Sequence, residues 1–184
     1  RCTVFVPELR EAFEAALRME SDLRRAIVRH EFELRYQPIV DLGSGRTIGF
    51  EALVRWRHPT RGLLAPNGFL DVAEATGLLP LLDQWVLREA CRQVARWRQI
   101  VPGFLVSVNV SAGQLADPGL VDQVRSATLG AGLPADALMV EVTETALVVD
   151  LELAASTLGE LAGLGVRIAL DDFGTGYSSL TYLR

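Results

Sequence analysis

Residues 138–172 read LMVEVTETALVVDLELAASTLGELAGLGVRIALDD and decide the fold. Two short apolar runs, at residues 138–143 and 166–170, predict strands, and residues 151–164 between them predict a helix. Both strands are apolar along almost their whole length, which is typical of parallel strands that are covered on both faces. The segment therefore predicts a βαβ unit within an α/β domain.

The same alternation extends toward the N-terminus of this segment. A strand is expected at residues 104–110 and a helix at residues 117–129. Further back, residues 80–100 predict a long helix, and a shorter helix is expected to start at Pro66 and end near Gly77. Strands that alternate with helices favour a parallel sheet with helical crossovers.

A hairpin is predicted before these helices. Asp41-Leu42-Gly43-Ser44-Gly45 forms a turn signal between two strand patterns, at residues 33–40 and 46–55. Residues 56–66, with their proline and glycine residues, predict a loop. The main domain thus contains five expected strands. A closed (β/α)8 barrel needs eight strands and about 250 residues. The sequence is therefore compatible with an open sheet or with part of a barrel. A chain that stops just as a helix begins at Ser178 favours the partial barrel.

The first residues predict a different organisation. A short apolar piece, residues 2–6, has the pattern of a strand, and Pro7-Glu8 opens a long helical pattern. We expect residues 1–22 to be a linker helix with the possible tail of an upstream domain. The main domain is then expected over residues 23–184.

Composition and charge exclude several classes of protein. The 18 Lys and Arg residues against 23 Asp and Glu residues leave a formal net charge of −5, so no overall basic field exists to attract DNA or RNA. The two cysteines, Cys2 and Cys91, are too few for a disulfide framework and have no zinc-site spacing. No apolar run approaches the roughly 20 residues of a membrane span. These features predict a cytoplasmic domain with reduced thiols, although missing regions could tether the full-length protein to a membrane.

Polar side chains recur on or at the end of the predicted strands. Glu51, Asn109 and Glu141 lie on three strands, and Asp171-Asp172 ends a fourth. Parallel strands carry their C-terminal ends to one rim, where these groups would repel one another unless a cation joined them. Oxygen-only ligands suit Mg²⁺ or Mn²⁺ rather than zinc. The alternative is that each residue caps a helix or ends a strand, which is the better explanation for any one of them and a weaker explanation for the whole set.

Strand alternation adds candidate substrate contacts. Glu51, Leu53 and Arg55 share one face of their strand, and a guanidinium group is a natural partner of a phosphate. Trp56 could stack on a base, though a packing role is at least as plausible. The glycines of residues 171–180 could bring backbone amides close to an anion, or could simply form a turn.

At these residues the sequence resembles the EAL-domain cyclic di-GMP phosphodiesterases of bacteria, which are named after the tripeptide Glu51-Ala52-Leu53. The motifs that carry the resemblance, in chain order, are Tyr36-Gln37-Pro38-Ile39-Val40, Glu51-Ala52-Leu53-Val54-Arg55-Trp56, Val108-Asn109-Val110-Ser111, Glu141-Val142-Thr143-Glu144 and Asp171-Asp172-Phe173-Gly174-Thr175-Gly176-Tyr177-Ser178-Ser179-Leu180. They cover the first two-thirds of such a domain. The resemblance implies an α/β fold, a TIM-like (β/α)8 barrel with an antiparallel first strand, here incomplete at the C-terminus.

The resemblance also implies a chemistry and a set of roles. The family hydrolyses cyclic di-GMP to the linear dinucleotide pGpG with one or two Mg²⁺ or Mn²⁺ ions. The implied metal ligands are Glu51, Asn109, Glu141, Asp171 and Asp172, the last of which would also orient the attacking water. The implied substrate contacts are Gln37, Leu53 and Arg55. Glu144 would anchor the loop at residues 171–180, which the family uses to link dimerisation with activity, so a homodimer is expected.

Two further expectations concern what lies outside the sequence. The family continues with a lysine, a glutamate and a glutamine on later strands, and these positions fall beyond Arg184, so this piece alone is expected to be impaired. Residues 1–29 resemble the end of a diguanylate cyclase domain, which is often fused upstream. The alternative function is a catalytically inactive module that binds cyclic di-GMP and regulates other proteins.

Overall fold

The computed structural model describes residues 7–148 and 150–171 and shows an α/β fold. Seven α-helices and six strands are present in this part of the chain, with 3₁₀ turns at Pro66–Gly68 and Ala135–Ala137. The elements are α1 (Pro7–Arg29), β1 (Phe32–Val40), β2 (Thr47–His58), β3 (Gly62–Leu64), α2 (Leu70–Ala75), α3 (Leu79–Arg98), β4 (Leu105–Asn109), α4 (Ala112–Leu115), α5 (Leu120–Ala131), β5 (Leu138–Thr143), α6 (Glu144–Val148), α7 (Leu151–Gly163) and β6 (Arg167–Asp171).

The strands form a mixed sheet in the order β1-β2-β4-β5-β6, with β3 paired to β2. The pairs β2–β4, β4–β5 and β5–β6 are parallel, and β2–β3 is antiparallel. β1 and β2 are neighbours joined by a short turn, in which Asp41 N–H donates to Arg46 O at 2.9 Å. So short a connection can only reverse the chain, which confirms the predicted hairpin. The parallel pairs confirm the predicted βαβ arrangement.

Several predicted boundaries were wrong. The expected loop over residues 56–66 contains the end of β2, which runs on to His58, and the short strand β3. Helix α5 begins at Leu120 rather than Asp117, and the short helices α4 and α6 were not predicted. The elements β3, α4 and α6 have only three to five residues, which is too few for the periodicity of a strand or a helix to be recognised in the sequence.

The described residues fall into two compact units. One unit contains the chain up to Arg35 together with Leu53–Asp83. Its core includes Leu23 and Ala26 of α1, both essentially unexposed, and the fully buried Trp56 of β2. The Trp56 ring packs against Phe32 and Phe69 at centroid distances of 5.7 Å. Trp56 is therefore a core residue, and the suggestion that it stacks on a base was wrong.

The other unit contains Tyr36–Ala52 and the described chain from Gln84 onward. Its core includes strand residues, among them the fully buried Val106, Leu138, Val140 and Val142, together with buried residues of the helices such as Val94 and Leu161. Gly49 of β2 lies so close to β4 that a Cβ atom there would be 2.4 Å from the Leu105 carbonyl oxygen. The two parallel strands can pair at this point only because Gly49 has no side chain.

Three sequence-based expectations fall outside the described residues: the strand at residues 2–6, the loop at residues 172–180 with Asp172, and the helix expected from Ser178. Among the helices that the structure does describe, none has the length and apolar character needed to cross a membrane.

Candidate functional site

Strand register places the predicted polar residues on one face of the sheet. Glu51 of β2 pairs with Ser107 of β4, and Asn109 of β4 pairs with Glu141 of β5. On the next strand, Thr143 pairs with Asp171 of β6. Paired residues of parallel strands point to the same side, and side chains repeat every two residues. The polar side chains toward the C-terminal ends of the strands on this face, which together we call the polar face, are Glu51, Ser107, Asn109, Glu141, Thr143 and Asp171.

The opposite face of β2, β4 and β5 carries buried apolar residues. Ala52, Val108, Val140 and Val142 are at most 4% exposed. On the polar face, by contrast, Glu51 and Glu141 are half-buried, and Asn109 and Asp171 are exposed. Hydrophobic burial on one face therefore determines which way the polar residues point.

A hydrogen bond joins two of the predicted ligands across adjacent strands. The Asn109 amide Nδ2 donates to Glu51 Oε1 at 2.8 Å, although the two residues are far apart in sequence. Asn109 is not a helix cap, because Ser111 is the N-cap of α4: its hydroxyl accepts from the Gln114 N–H, and the Gln114 side chain accepts from the Ser111 N–H. The capping explanation of Asn109 was therefore wrong.

The carboxylates of the polar face influence one another. The pKa of Glu141 is raised, first because partial burial disfavours its charged form and then because Glu51 and Asp171 are negatively charged neighbours. The neighbouring Ser107 hydroxyl opposes this rise in the pKa of Glu141. A positive charge among these three carboxylates would relieve the repulsion between them.

The chemistry of the donor set fits Mg²⁺ or Mn²⁺, because the polar face supplies carboxylate and amide oxygens and no sulfur or imidazole ligand. In the described ranges 7–148 and 150–171, however, no three His, Cys, Asp or Glu side chains are gathered closely enough to hold an ion. Asp172, a predicted ligand, lies outside these ranges. The cation site thus stays a prediction.

The candidate substrate contacts lie on β1 and β2. Leu53 and Arg55 are half-buried and lie on the side of β2 opposite to the buried Ala52 and Trp56. The Arg55 guanidinium donates through Nη1 to the Val54 carbonyl oxygen at 2.8 Å, which keeps it folded back against the strand. Gln37 is exposed on β1.

Glu144 is the first residue of α6, directly after β5, and is half-buried. The Thr143 hydroxyl accepts the Ala146 N–H at 3.3 Å and so caps the start of this helix. The predicted partner of Glu144, the loop that follows Asp171, lies beyond the described residues, so its anchoring role stays a prediction.

Sequence reasoning missed Ser107. Its side chain has no exposed surface, and it lies on the polar face beside Glu51 and Glu141. The available signal was its position two residues before Asn109, within an otherwise apolar strand. That spacing places Ser107 and Asn109 on the same face.

Comparison with known proteins identifies the family. The family model described as the EAL domain matches residues 20–184. The chain therefore belongs to the EAL domain family, whose members are TIM-like barrels.

Particular relatives carry more specific names. The cyclic di-GMP phosphodiesterase NbdA of Pseudomonas aeruginosa is 49% identical over 169 residues, which are 91% of this chain and 22% of NbdA. The bifunctional diguanylate cyclase/cyclic di-GMP phosphodiesterase MucR of the same organism is 46% identical over 91% of this chain and 25% of MucR. The chain thus spans about a quarter of the length of these relatives.

Solved structures agree with the fold. The PaMucR phosphodiesterase, in a cyclic di-GMP complex, superposes with a TM-score of 0.86 at 46% identity and covers 90% of this chain and 68% of its own. The FimX EAL domain of Xanthomonas citri, in complex with the same dinucleotide, superposes with a TM-score of 0.83 at 26% identity and covers 95% of this chain and 68% of its own. The predicted α/β fold of the TIM-like barrel class is confirmed.

Proposed function

We propose that this chain is part of an enzyme that hydrolyses cyclic di-GMP to linear pGpG with Mg²⁺ or Mn²⁺ in bacterial signalling. Membership of the EAL family and the phosphodiesterase names of two relatives support this proposal. The observation that carries it is the polar face, where Glu51, Asn109, Glu141 and Asp171 come from four neighbouring strands.

Each of these residues has a defined part in holding the cation. Glu51, Asn109, Glu141 and Asp171, together with Asp172, would supply oxygen ligands. A bound divalent cation would supply an acidified water nucleophile and offset the charge that develops on the phosphate. The hydrogen bond from Asn109 holds the Glu51 carboxylate in place, and Ser107 favours the charged form of Glu141.

The proposed substrate contacts are those that the resemblance to the family implies. Cyclic di-GMP carries two phosphate groups, and the chain has a net charge of −5, so local cations must receive it. Arg55 would bind a phosphate oxygen pair, Gln37 would hydrogen bond to the ligand, and Leu53 would pack against it. The protein is proposed to act as a homodimer in the cytoplasm, with Glu144 holding the loop that follows Asp171 and with a diguanylate cyclase domain upstream of residues 1–22.

The test uses the protein with its complete EAL domain. With Mg²⁺ or Mn²⁺ we expect cyclic di-GMP to be converted to pGpG, as followed by chromatography. Glu51→Gln removes a charged ligand and is expected to reduce kcat/KM by about 10³-fold or more. Glu160→Gln, on an exposed position of α7, is the matched control and is expected to retain full activity.

The competing function is a receptor that binds cyclic di-GMP without cleaving it. Titration calorimetry with and without Mg²⁺ separates the two functions. Tight binding by a protein that forms no pGpG would assign the chain to the receptor class. Turnover that survives Glu51→Gln would refute the proposed cation site.

A further inference from the structure

Two hydrogen bonds connect α1 and the turn after it to the last residues of β2. Asp22 Oδ2 lies 3.3 Å from His58 Nε2, and Glu31 Oε2 accepts from Trp56 Nε1 at 3.1 Å. A backbone bond reinforces the second contact, because Arg57 N–H donates to the Glu31 carbonyl oxygen at 2.8 Å. The residues joined here are 36 and 25 positions apart in sequence, so the contacts are tertiary.

The protonation pattern of His58 follows from its neighbours. The Nδ1 atom of His58 accepts backbone N–H groups from Thr60 at 3.2 Å and Arg61 at 3.3 Å. Nδ1 therefore carries no hydrogen, and Nε2 must carry it and donate it to Asp22. His58 is only 6% exposed, so this hydrogen bond is sheltered from water.

Packing closes the same region. Trp56 is fully buried against Phe32 and Phe69, and Leu23 and Ala26 on the inner side of α1 are buried with them. Trp56 uses its one polar atom in the bond to Glu31. The end of β2 is therefore held by both aromatic packing and oriented hydrogen bonds.

Strand alternation relates this region to the candidate substrate contacts. Trp56 and His58 point to one side of β2, and Leu53 and Arg55 point to the other. The contacts with Asp22 and Glu31 hold β2 at residues 56–58, directly after Leu53 and Arg55. Glu51, four residues before Arg55, is held separately, by its pairing with Ser107 and by Asn109.

We propose that the pairs Asp22–His58 and Glu31–Trp56, called here the α1–β2 clamp, are positioning pairs that set Leu53 and Arg55 for substrate binding. This inference rests on the proposed function. A displacement of α1 loosens the end of β2 and weakens cyclic di-GMP binding, while the cation ligands keep their geometry. A structural change in the chain that precedes the domain is thus transmitted through α1 to the substrate contacts and alters KM.

The experiment compares variants of the clamp in the protein with its complete EAL domain. Asp22→Ala and Trp56→Phe each remove one hydrogen bond of the clamp, and each is expected to raise KM about fivefold, the effect of one sheltered hydrogen bond. The value of kcat at saturating substrate is expected to stay within about twofold of wild type, because the lost interaction acts on binding. Asp22→Asn keeps an acceptor oxygen for His58 and is expected to restore the wild-type KM.

The matched control is Arg25→Ala. Arg25 forms an ion pair with Asp22 on the exposed side of α1, so its loss leaves the hydrogen bond to His58 in place and is expected to leave KM unchanged. An increase in KM for Arg25→Ala equal to that for Asp22→Ala would overturn the proposal. So would clamp variants that lower the melting temperature without any change in KM.

Failure of the proposed function gives a different pattern. If the wild-type protein binds cyclic di-GMP but releases no pGpG, the phosphodiesterase proposal fails, and the clamp is tested by the dissociation constant from calorimetry. Asp22→Ala is then expected to raise that constant about fivefold. An unchanged dissociation constant would overturn the clamp in this case too.

Discussion

Gly49→Ala tests the close approach of β2 and β4. An added Cβ would lie 2.4 Å from the Leu105 carbonyl oxygen and 2.6 Å from two Leu105 side-chain carbons, whereas real Cβ contacts essentially never fall below 3.0 Å. The strands must therefore separate by at least 0.6 Å, the difference between 3.0 and 2.4 Å. The obstacle includes a backbone atom, so a rotamer change cannot remove it.

The expected cost follows from this overlap. Forcing an extra methyl group into a packed site costs about 1–3 kcal/mol. For a protein of this size each kcal/mol shifts Tm by about 2–4 °C, so Gly49→Ala is expected to lower Tm by about 2–12 °C. Thermal unfolding followed by circular dichroism measures the change. Because Glu51 and Ser107 pair on the same two strands, the separation is also expected to weaken any cation bound at the polar face.

A second glycine provides the control. Gly159 lies at an exposed position within α7, away from the helix ends, and no atom lies within 4 Å of an added Cβ. Gly159→Ala is expected to stabilise the protein by about 0.5–1 kcal/mol, because alanine favours helix. The opposite signs of the two effects separate steric overlap from a general effect of alanine. A Tm for Gly49→Ala equal to or above that of wild type would refute the argument.

Two further predictions concern stability. Burial, with a smaller effect of the nearby Glu74, raises the pKa of Asp83 to about 7. The native state therefore holds a proton that the unfolded state loses near pH 4, and the stability of the protein falls as the pH rises from about 4 to 7. Asp83→Asn is expected to remove this loss, which is at most about 4 kcal/mol at pH 8, and equal urea midpoints for wild type and variant at pH 8 would contradict the prediction. Ser111→Ala removes the capping box with Gln114 and is expected to lower the free energy of unfolding by about 1 kcal/mol. Because α4 starts just after Asn109, cation affinity measured by calorimetry is expected to fall as well. An unchanged unfolding midpoint would contradict the role of the cap.

Local sequence patterns predicted the main elements of the fold. The strand at residues 138–143 has the predicted bounds, and the hairpin and the longer helices were found within a few residues of their expected positions. An apolar run or a helical period of this length is a local property, which needs no tertiary contact to be recognised. The shorter elements β3, α4 and α6 have no such period, and neighbouring strands and helices stabilise them.

Trp56 shows where local reading ends. The proline and glycine residues of residues 56–66 predicted a loop, yet Trp56 is fully buried against Phe32 and Phe69, and its ring nitrogen donates to Glu31, which is distant in sequence. The Arg57 backbone pairs with Glu31, so the residues expected to form a loop are held in a strand. No pattern within a short window contains this information.

The candidate site, too, was predicted in part from the sequence and determined in part by the tertiary structure. The order of residue types along the chain was enough to place acidic and amide side chains on or at the ends of separate strands, and to suggest oxygen ligation of a hard cation. Only the hydrogen-bond register between strands put Glu51, Asn109, Glu141 and Asp171 on one face, since a slip of one residue would have turned any of them to the opposite side. The register depends on the packing of apolar side chains from distant segments, and for that reason the tertiary structure decides it.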